Sequence, residues 1–191
     1  MNRLSRYAIA VISCLIVATQ AYSFDSISSR SQPIVAQGTL QAAFAPWDDV
    51  ESLIIESIDS AKKQILVQAY LLTSKKIANA LIAAHRRAVD VRVLVDAEQF
   101  VKGESSKVPE LTNAGIPVWL ETKYQNAHNK VIVIDATTAD AVVITGSFNF
   151  TWAAQHKNAE NILIARSNPT LASRYALNWE RHQRDSSPYK K

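Results

Sequence analysis

The polar residues between His128 and Glu160 are set into apolar β-type sequence at places that leave few structural options. One run reads Lys130-Val-Ile-Val-Ile-Asp135. After a short break Ala141 to Thr145 forms a second run. Gly146-Ser147-Phe148-Asn149 follows, and Lys157-Asn158-Ala159-Glu160-Asn161 leads into a third. A strand puts alternate side chains on one face. His128 and Lys130 are therefore expected to project together. Asp135, an odd number of residues beyond Lys130, should point the other way or close the strand end. By the same parity Ser147 and Asn149 share a face, while Phe148 and Phe150 turn to the opposite one, into the core.

The rest of the chain surrounds these runs with alternating elements. Ile34 to Phe44 suggests a first strand. Asp48 or Asp49 can cap a helix from Val50 to Ala61, whose apolar residues fall at helical spacing. Gln64 to Leu72 reads as a buried strand, Thr73 or Ser74 as the cap of a helix from Lys75 to Ala88, and Asp90 to Asp96 as the next strand. Val108 to Ala114 is a short helix ended by Gly115. Ile116 to Leu120 is a short strand that contains Pro117. Strand–helix repetition implies crossover connections and parallel pairing. From Lys130 onward the links between strands are short, so antiparallel pairing enters. Pro169 opens a last amphipathic helix to about Arg184. The expected fold class is α/β, with a mixed, mainly parallel β-sheet flanked by helices on both faces.

The N-terminus reads as an export signal over residues 1–23. Arg3 and Arg6 precede an apolar run, Tyr7 to Ala18, and small residues near Ala21 and Ser23 offer a cut site. The run is short of the ~20 residues that span a bilayer as a helix. An uncleaved anchor is the alternative. Residues 24–33 read as a Ser-rich linker, 34–185 as a single catalytic domain, and 186–191 as a frayed tail. Localisation is then periplasmic or secreted, with no stable membrane association after signal removal. The full chain of 191 residues carries a formal charge of +4. Removing Arg3 and Arg6 lowers Lys+Arg from 21 to 19 against 17 acids, which leaves +2. A site for a polyanion must come from local clustering. Cys14, the only cysteine, goes with the signal, so the mature chain has no disulfide and no cysteine ligand or nucleophile.

His128-x-Lys130, four residues and Asp135, followed by Gly146-Ser147-x-Asn149, resembles the HxKxxxxD…GSxN signature of the phospholipase D superfamily. Element order over roughly residues 34 to 185 is similar to its small bacterial endonuclease branch. The interval from Asp135 to Gly146 is longer than is usual in the family. The excess, Thr137-Thr138-Ala139-Asp140, is expected in a hairpin loop, where insertions are tolerated. The residue types suit a phosphodiester. Lys130 can neutralise a non-bridging oxygen, with Ser147 and Asn149 as neutral donors. His128 can attack phosphorus and give a covalent intermediate. The resemblance implies a phosphohistidine and assigns to Glu160 the acid that orients the histidine. Asp135 and Gly146 read as structural members of the motif.

One chain offers one motif, because His85, His156 and His182 lack a lysine two residues on. The resemblance implies a homodimer that joins two motifs, one His128 attacking and its symmetry mate donating a proton. A bell-shaped pH profile follows. No ligand-spaced cluster suggests a metal, so no cofactor is expected, and activity should survive EDTA. The expected substrate is DNA, with RNA open. A phospholipase D or cardiolipin-type lipid hydrolase is the first alternative, a non-catalytic nucleic-acid-binding protein the second. A lipase would benefit from an exposed apolar strip, and none is legible outside the signal. Trp152 could belong to a base-stacking strip. Lys62-Lys63, Lys75-Lys76 and Arg86-Arg87 could form a phosphate-backbone footprint, but each pair reads first as a solvated face at a helix end. Lys123, Lys157 and Asn158 are the better candidates for substrate contacts.

Overall fold

In a computed structural model, residues 31–102 and 105–190 are described. The expected signal and most of the linker lie outside the described residues. Ile34–Lys191 forms one compact unit. Its elements are β1 (Thr39–Ala45), α1 (Val50–Asp59), β2 (Gln64–Ala69), α2 (Lys75–Arg86), β3 (Asp90–Asp96), α3 (Ala97–Lys102), α4 (Val108–Asn113), β4 (Val118–Glu121), β5 (Lys130–Ile134), β6 (Val142–Gly146), α5 (Trp152–His156), β7 (Glu160–Arg166), α6 (Pro169–Arg184) and β8 (Ser187–Pro188). Local chemistry explains the helix starts. Asp49 caps α1 by accepting from the Ser52 N–H, Ser74 caps α2 through Ile77, and Asn168 caps α6 through Leu171.

The strands form one open sheet in the order β1-β7-β6-β5-β2-β3-β4-β8. Helices lie on both faces, as the alternation along β2 requires. Ile65, Val67 and Ala69 enter a core shared with α1, α2 and α4. Leu66 enters a second core with Trp179 and Ala172 of α6. The indole of Trp179 also donates to the Val67 carbonyl at 2.8 Å, which satisfies its one polar atom in that core.

The expected mainly parallel balance is corrected. Only β2·β3 and β3·β4 pair in parallel. The β1·β7, β7·β6, β6·β5, β5·β2 and β4·β8 ladders are antiparallel. β5 returns antiparallel to β2, β6 follows β5 through a short link, and β7 and β1 continue the alternation. Parallel neighbours therefore occur only where α2 and the α3–α4 segment carry the chain between adjacent strands β2, β3 and β4. The tail is also not frayed. Ser187–Pro188 pairs with β4, the Tyr189 N–H donates to Val118 at 2.8 Å, and its ring meets Phe100 edge-on at 5.1 Å. It covers what would otherwise be an open sheet edge. The short helices α3 and α5 lie where no helix was expected, being too brief to show an apolar period.

An exposed apolar strip does exist. Leu40 (66% exposed), Phe44 (51%) and Leu163 (40%) project from one face of β1 and β7. The strip is absent from any single segment because two strands distant in sequence assemble it. α6 packs over β6, β5, β2 and β4 and stops short of it.

Candidate active site

His128 stands just ahead of β5, in the segment that links it to β4. Its main chain is held on both sides. The Ala127 N–H donates to the buried Asp96 carboxylate at 2.7 Å, and the Asn129 carbonyl accepts from the Tyr70 N–H at 2.8 Å. Asp96 ends β3 and Tyr70 directly follows β2, so two parallel strands deliver these clamps from their C-terminal ends. The Tyr70 ring packs against the imidazole with centroids 4.2 Å apart.

Lys130, the first residue of β5, is only 6% exposed. Its Nζ lies 2.9 Å from His128 Nδ1 and donates to the His128 carbonyl at the same distance. It also sits 4.8 Å from the centre of the Tyr70 ring. Parity thus brings His128 and Lys130 together as expected. Burial pushes the Lys130 ammonium below its ordinary value, and the charge of Glu160 draws it part of the way back.

An ammonium can only donate. While Lys130 is charged, Nδ1 is the acceptor, and a neutral His128 ring carries its proton on Nε2. Attack through Nε2 needs the other tautomer, with Nδ1–H facing an acceptor. Glu160, at the start of β7, is the acid to which the resemblance assigns that place. In this structure its Oε1 accepts from Asn158 Nδ2 at 3.0 Å. Glu160 is therefore close enough to act on Lys130 electrostatically, with its hydrogen bond directed to Asn158.

Ser147 and Asn149 follow β6. The Ser147 Oγ accepts from the Asn161 N–H at 3.0 Å and from Asn161 Nδ2 at 3.3 Å, which leaves its own hydroxyl proton to donate. Asn149 Oδ1 is buried without a hydrogen-bond partner among the described residues. Such an atom costs about 1–3 kcal/mol, and rotating the amide would place donors where the acceptor now lies. Gly146 pairs with Ile162 in an approach so close that a Cβ would stand 2.2 Å from the Asn161 carbonyl oxygen. Only glycine lets β7 bring Glu160 and Asn161 this near. Phe148 and Phe150 are buried, as their parity demands.

Asp135 lies at the opposite end of β5, on the order of 16 Å from Lys130 at ~3.3 Å per residue. It adopts a positive φ of 50° and is buried. Its carboxylate accepts from the backbone N–H groups of Lys62, Lys63 and Gln64 at 2.7 to 2.8 Å. The extra Thr137-Thr138-Ala139-Asp140 residues form the β5–β6 loop at that same end, away from His128.

Sequence reasoning missed Tyr70, Asp96 and Asn161. Each ends or begins a strand that abuts the motif, which is the signal that could have found them. His182 and His156 are engaged elsewhere, and His85 Nδ1 is buried without a hydrogen-bond partner among the described residues. His182 Nδ1 meets the buried Glu121 at 2.6 Å, and His156 packs on Trp152. Of the expected substrate-contact residues, Lys123 pairs with Asp185, Asn158 serves Glu160, and Lys157 lies over Trp152. Among the described residues no group of three or more His, Cys, Asp or Glu is placed to hold a metal ion.

Comparison with known proteins agrees with this geometry. Residues 54–182 match the family described as cardiolipin synthase, PLD-like domain. A phospholipase D of Rickettsia typhi is 38% identical over 80% of this chain and 72% of its own length. A mitochondrial cardiolipin hydrolase of Xenopus laevis is 30% identical over 74% of this chain and 64% of its own. The crystal structure of Nuc from Salmonella typhimurium, a phospholipase D family member, superposes with a TM-score of 0.74 at 34% identity. That match covers 80% of this chain and 99% of Nuc.

Proposed function

The chain belongs to the phospholipase D superfamily and is a phosphodiesterase, and we propose on that premise that it is an exported endonuclease. Its substrate is DNA, with RNA the open alternative, and it acts without a metal ion through a covalent phosphohistidine. The observation that carries the nuclease reading is the match to Nuc along nearly the whole of that protein. The family's larger, lipid-directed names leave more of their own length unmatched.

The mechanism begins with competition for Lys130. An arriving phosphodiester offers anionic oxygens to the buried ammonium, which then releases His128 Nδ1. The imidazole can pass to the tautomer with Nε2 free, its Nδ1–H taken by Glu160. Nε2 attacks phosphorus, the P–O bond to the leaving oxygen breaks, and that oxygen takes a proton. Ser147 through its hydroxyl and Asn149 through its Nδ2–H donate to the non-bridging oxygens as they gain charge. Water then attacks the phosphohistidine and returns the imidazole. The proton for the leaving oxygen comes from His128 of a second copy across a homodimer, the arrangement that the single-motif resemblance implies. The apolar strip of Leu40, Phe44 and Leu163 supports a second copy as its cover. Phe44 lies opposite Asn161, which bonds Ser147, so the strip runs up to the motif.

A second reading is lipid hydrolysis. It is favoured by the names of the relatives and by the same apolar strip, which could meet a lipid surface. Assays on single- and double-stranded DNA and RNA, with and without EDTA, beside headgroup release from cardiolipin vesicles, separate the two. The expected result is nucleic-acid cleavage that persists in EDTA. Headgroup release without nucleic-acid cleavage would overturn the nuclease assignment, and loss in EDTA restored by a divalent ion would overturn the metal-free one.

A further inference from the structure

Beyond the motif the surface holds a second recess. It is a cavity of about 400 Å³ lined by Lys75, Lys76, Lys107 and Trp152, with Glu51, Thr73 and Ser74 among its remaining lining. This is within the usual size of ligand sites. Lys76 and Lys107 are paired with Glu51 and Glu110, which leaves Lys75 as the cation of the lining without a carboxylate partner among the described residues.

The floor is built. Glu51 is buried, accepts from Ser74 Oγ at 2.6 Å and holds Lys76 Nζ at 2.9 Å. The Glu51 N–H donates to Gln155, and the Gln155 amide donates in turn to the Asp48 carbonyl. Lys107 pairs with Glu110. Lys75 has no carboxylate partner among the described residues. The indole of Trp152 is 57% exposed, an unusual state for so large an apolar ring, and the Lys157 ammonium stands 5.3 Å from its centre.

The recess adjoins the active site through shared backbone. The Thr73 and Ser74 N–H groups both donate to the Phe150 carbonyl, and Phe150 follows Asn149. Trp152 is three residues from Asn149, hence at most ~11 Å along the chain. Tyr70, which packs on His128, lines a smaller neighbouring pocket together with Thr73. Thr73 lines both pockets, so the recess lies beside the pocket that Tyr70 lines.

We propose that this recess is a strand-binding subsite for unpaired nucleic acid, in which a base stacks on Trp152 while Lys75 meets an adjoining phosphate. The inference rests on the nuclease reading above. Lysines alone would serve any polyanion. An exposed indole in the same lining selects a ligand with accessible aromatic faces, and only an unpaired strand presents its bases in that way. The subsite makes single-stranded segments the preferred substrate.

The test measures binding of a fluorescein-labelled oligothymidylate in a His128→Asn background, so that cleavage does not intervene, with circular dichroism as a check on folding. Adding Trp152→Ala should raise Kd roughly tenfold, and Trp152→Phe should recover most of the loss. Lys75→Ala should lower the slope of log K against log salt by about 0.7. Unchanged affinity in the folded Trp152→Ala variant would overturn the subsite, and if the wild-type protein still cleaves DNA the nuclease reading survives it. Should the wild type cleave no nucleic acid and the His128→Asn protein bind no oligothymidylate, both readings fall. A Trp152→Ala loss confined to cardiolipin vesicles would instead make the recess a lipid site and overturn the proposal.

Discussion

At one end of β5, Lys130 reaches His128 and lies over Tyr70, and the neighbouring Asn149 keeps a buried oxygen without a partner. At the other end, Asp135 gives its carboxylate to the N–H groups of Lys62, Lys63 and Gln64. Both ends belong to one motif. The first keeps hydrogen-bonding capacity in reserve and carries a buried cation whose burial disfavours its charge. The second leaves its bonds satisfied and closes the loop beside β2. The difference separates chemistry from support within five strand residues. It also explains why an insertion is accommodated next to Asp135 and not beside His128.

The contrast breaks most visibly at the active end. His128→Asn should lower phosphodiesterase activity by at least about a thousandfold, the order expected when a nucleophile is removed. Its thermal midpoint should stay close to wild type, because the exposed imidazole packs on little beyond Tyr70. Full activity in this variant would refute the mechanism. At the supporting end the balance should invert. Asp135→Ala strands three backbone donors and puts alanine at a positive φ. It should cost about 2–4 kcal/mol in denaturant unfolding, while the folded fraction keeps its KM. Asp135→Asn should cost less, since asparagine tolerates this backbone region and keeps one acceptor. Equal losses in both variants would mean that geometry at this end is not what matters.

The smallest effect sharpens the comparison instead of breaking it. Lys130 has a folded pKa lowered by burial, so the native state binds this proton less readily than the unfolded chain does. The resulting destabilisation is fully present below the folded pKa. It fades as pH rises towards the ordinary lysine value of 10.5. Lys130→Met should therefore be inactive yet unfold slightly later than wild type near neutral pH, with the advantage shrinking in alkaline buffer. Parallel stability curves across that range would show that Lys130 carries no such penalty.

Much of this site is legible in residue order. Strand parity paired His128 with Lys130 and turned Phe148 and Phe150 inward, and the five-residue spacing put Asp135 at the far end of β5. Caps at Asp49 and Ser74 are local bonds between residues three apart, so local sequence is enough to suggest them. Other features were not legible. The apolar strip needs β1 beside β7, two strands more than a hundred residues apart. Trp152 and Lys75 line one recess because Phe150 binds the residues before α2. β8 is two residues long and takes its strand character from β4.

The sequence by itself determined which residues could do phosphoryl chemistry and on which side of each strand they would stand, because side-chain alternation and capping are set by neighbours along the chain. The tertiary structure alone decided what those residues touch. It set Tyr70 on His128, turned Glu160 to Asn158, left the β1–β7 face open and joined a basic aromatic recess to the motif. Those contacts depend on the order of strands in the sheet and on where α6 ends, and strand order is decided by burial across the whole domain.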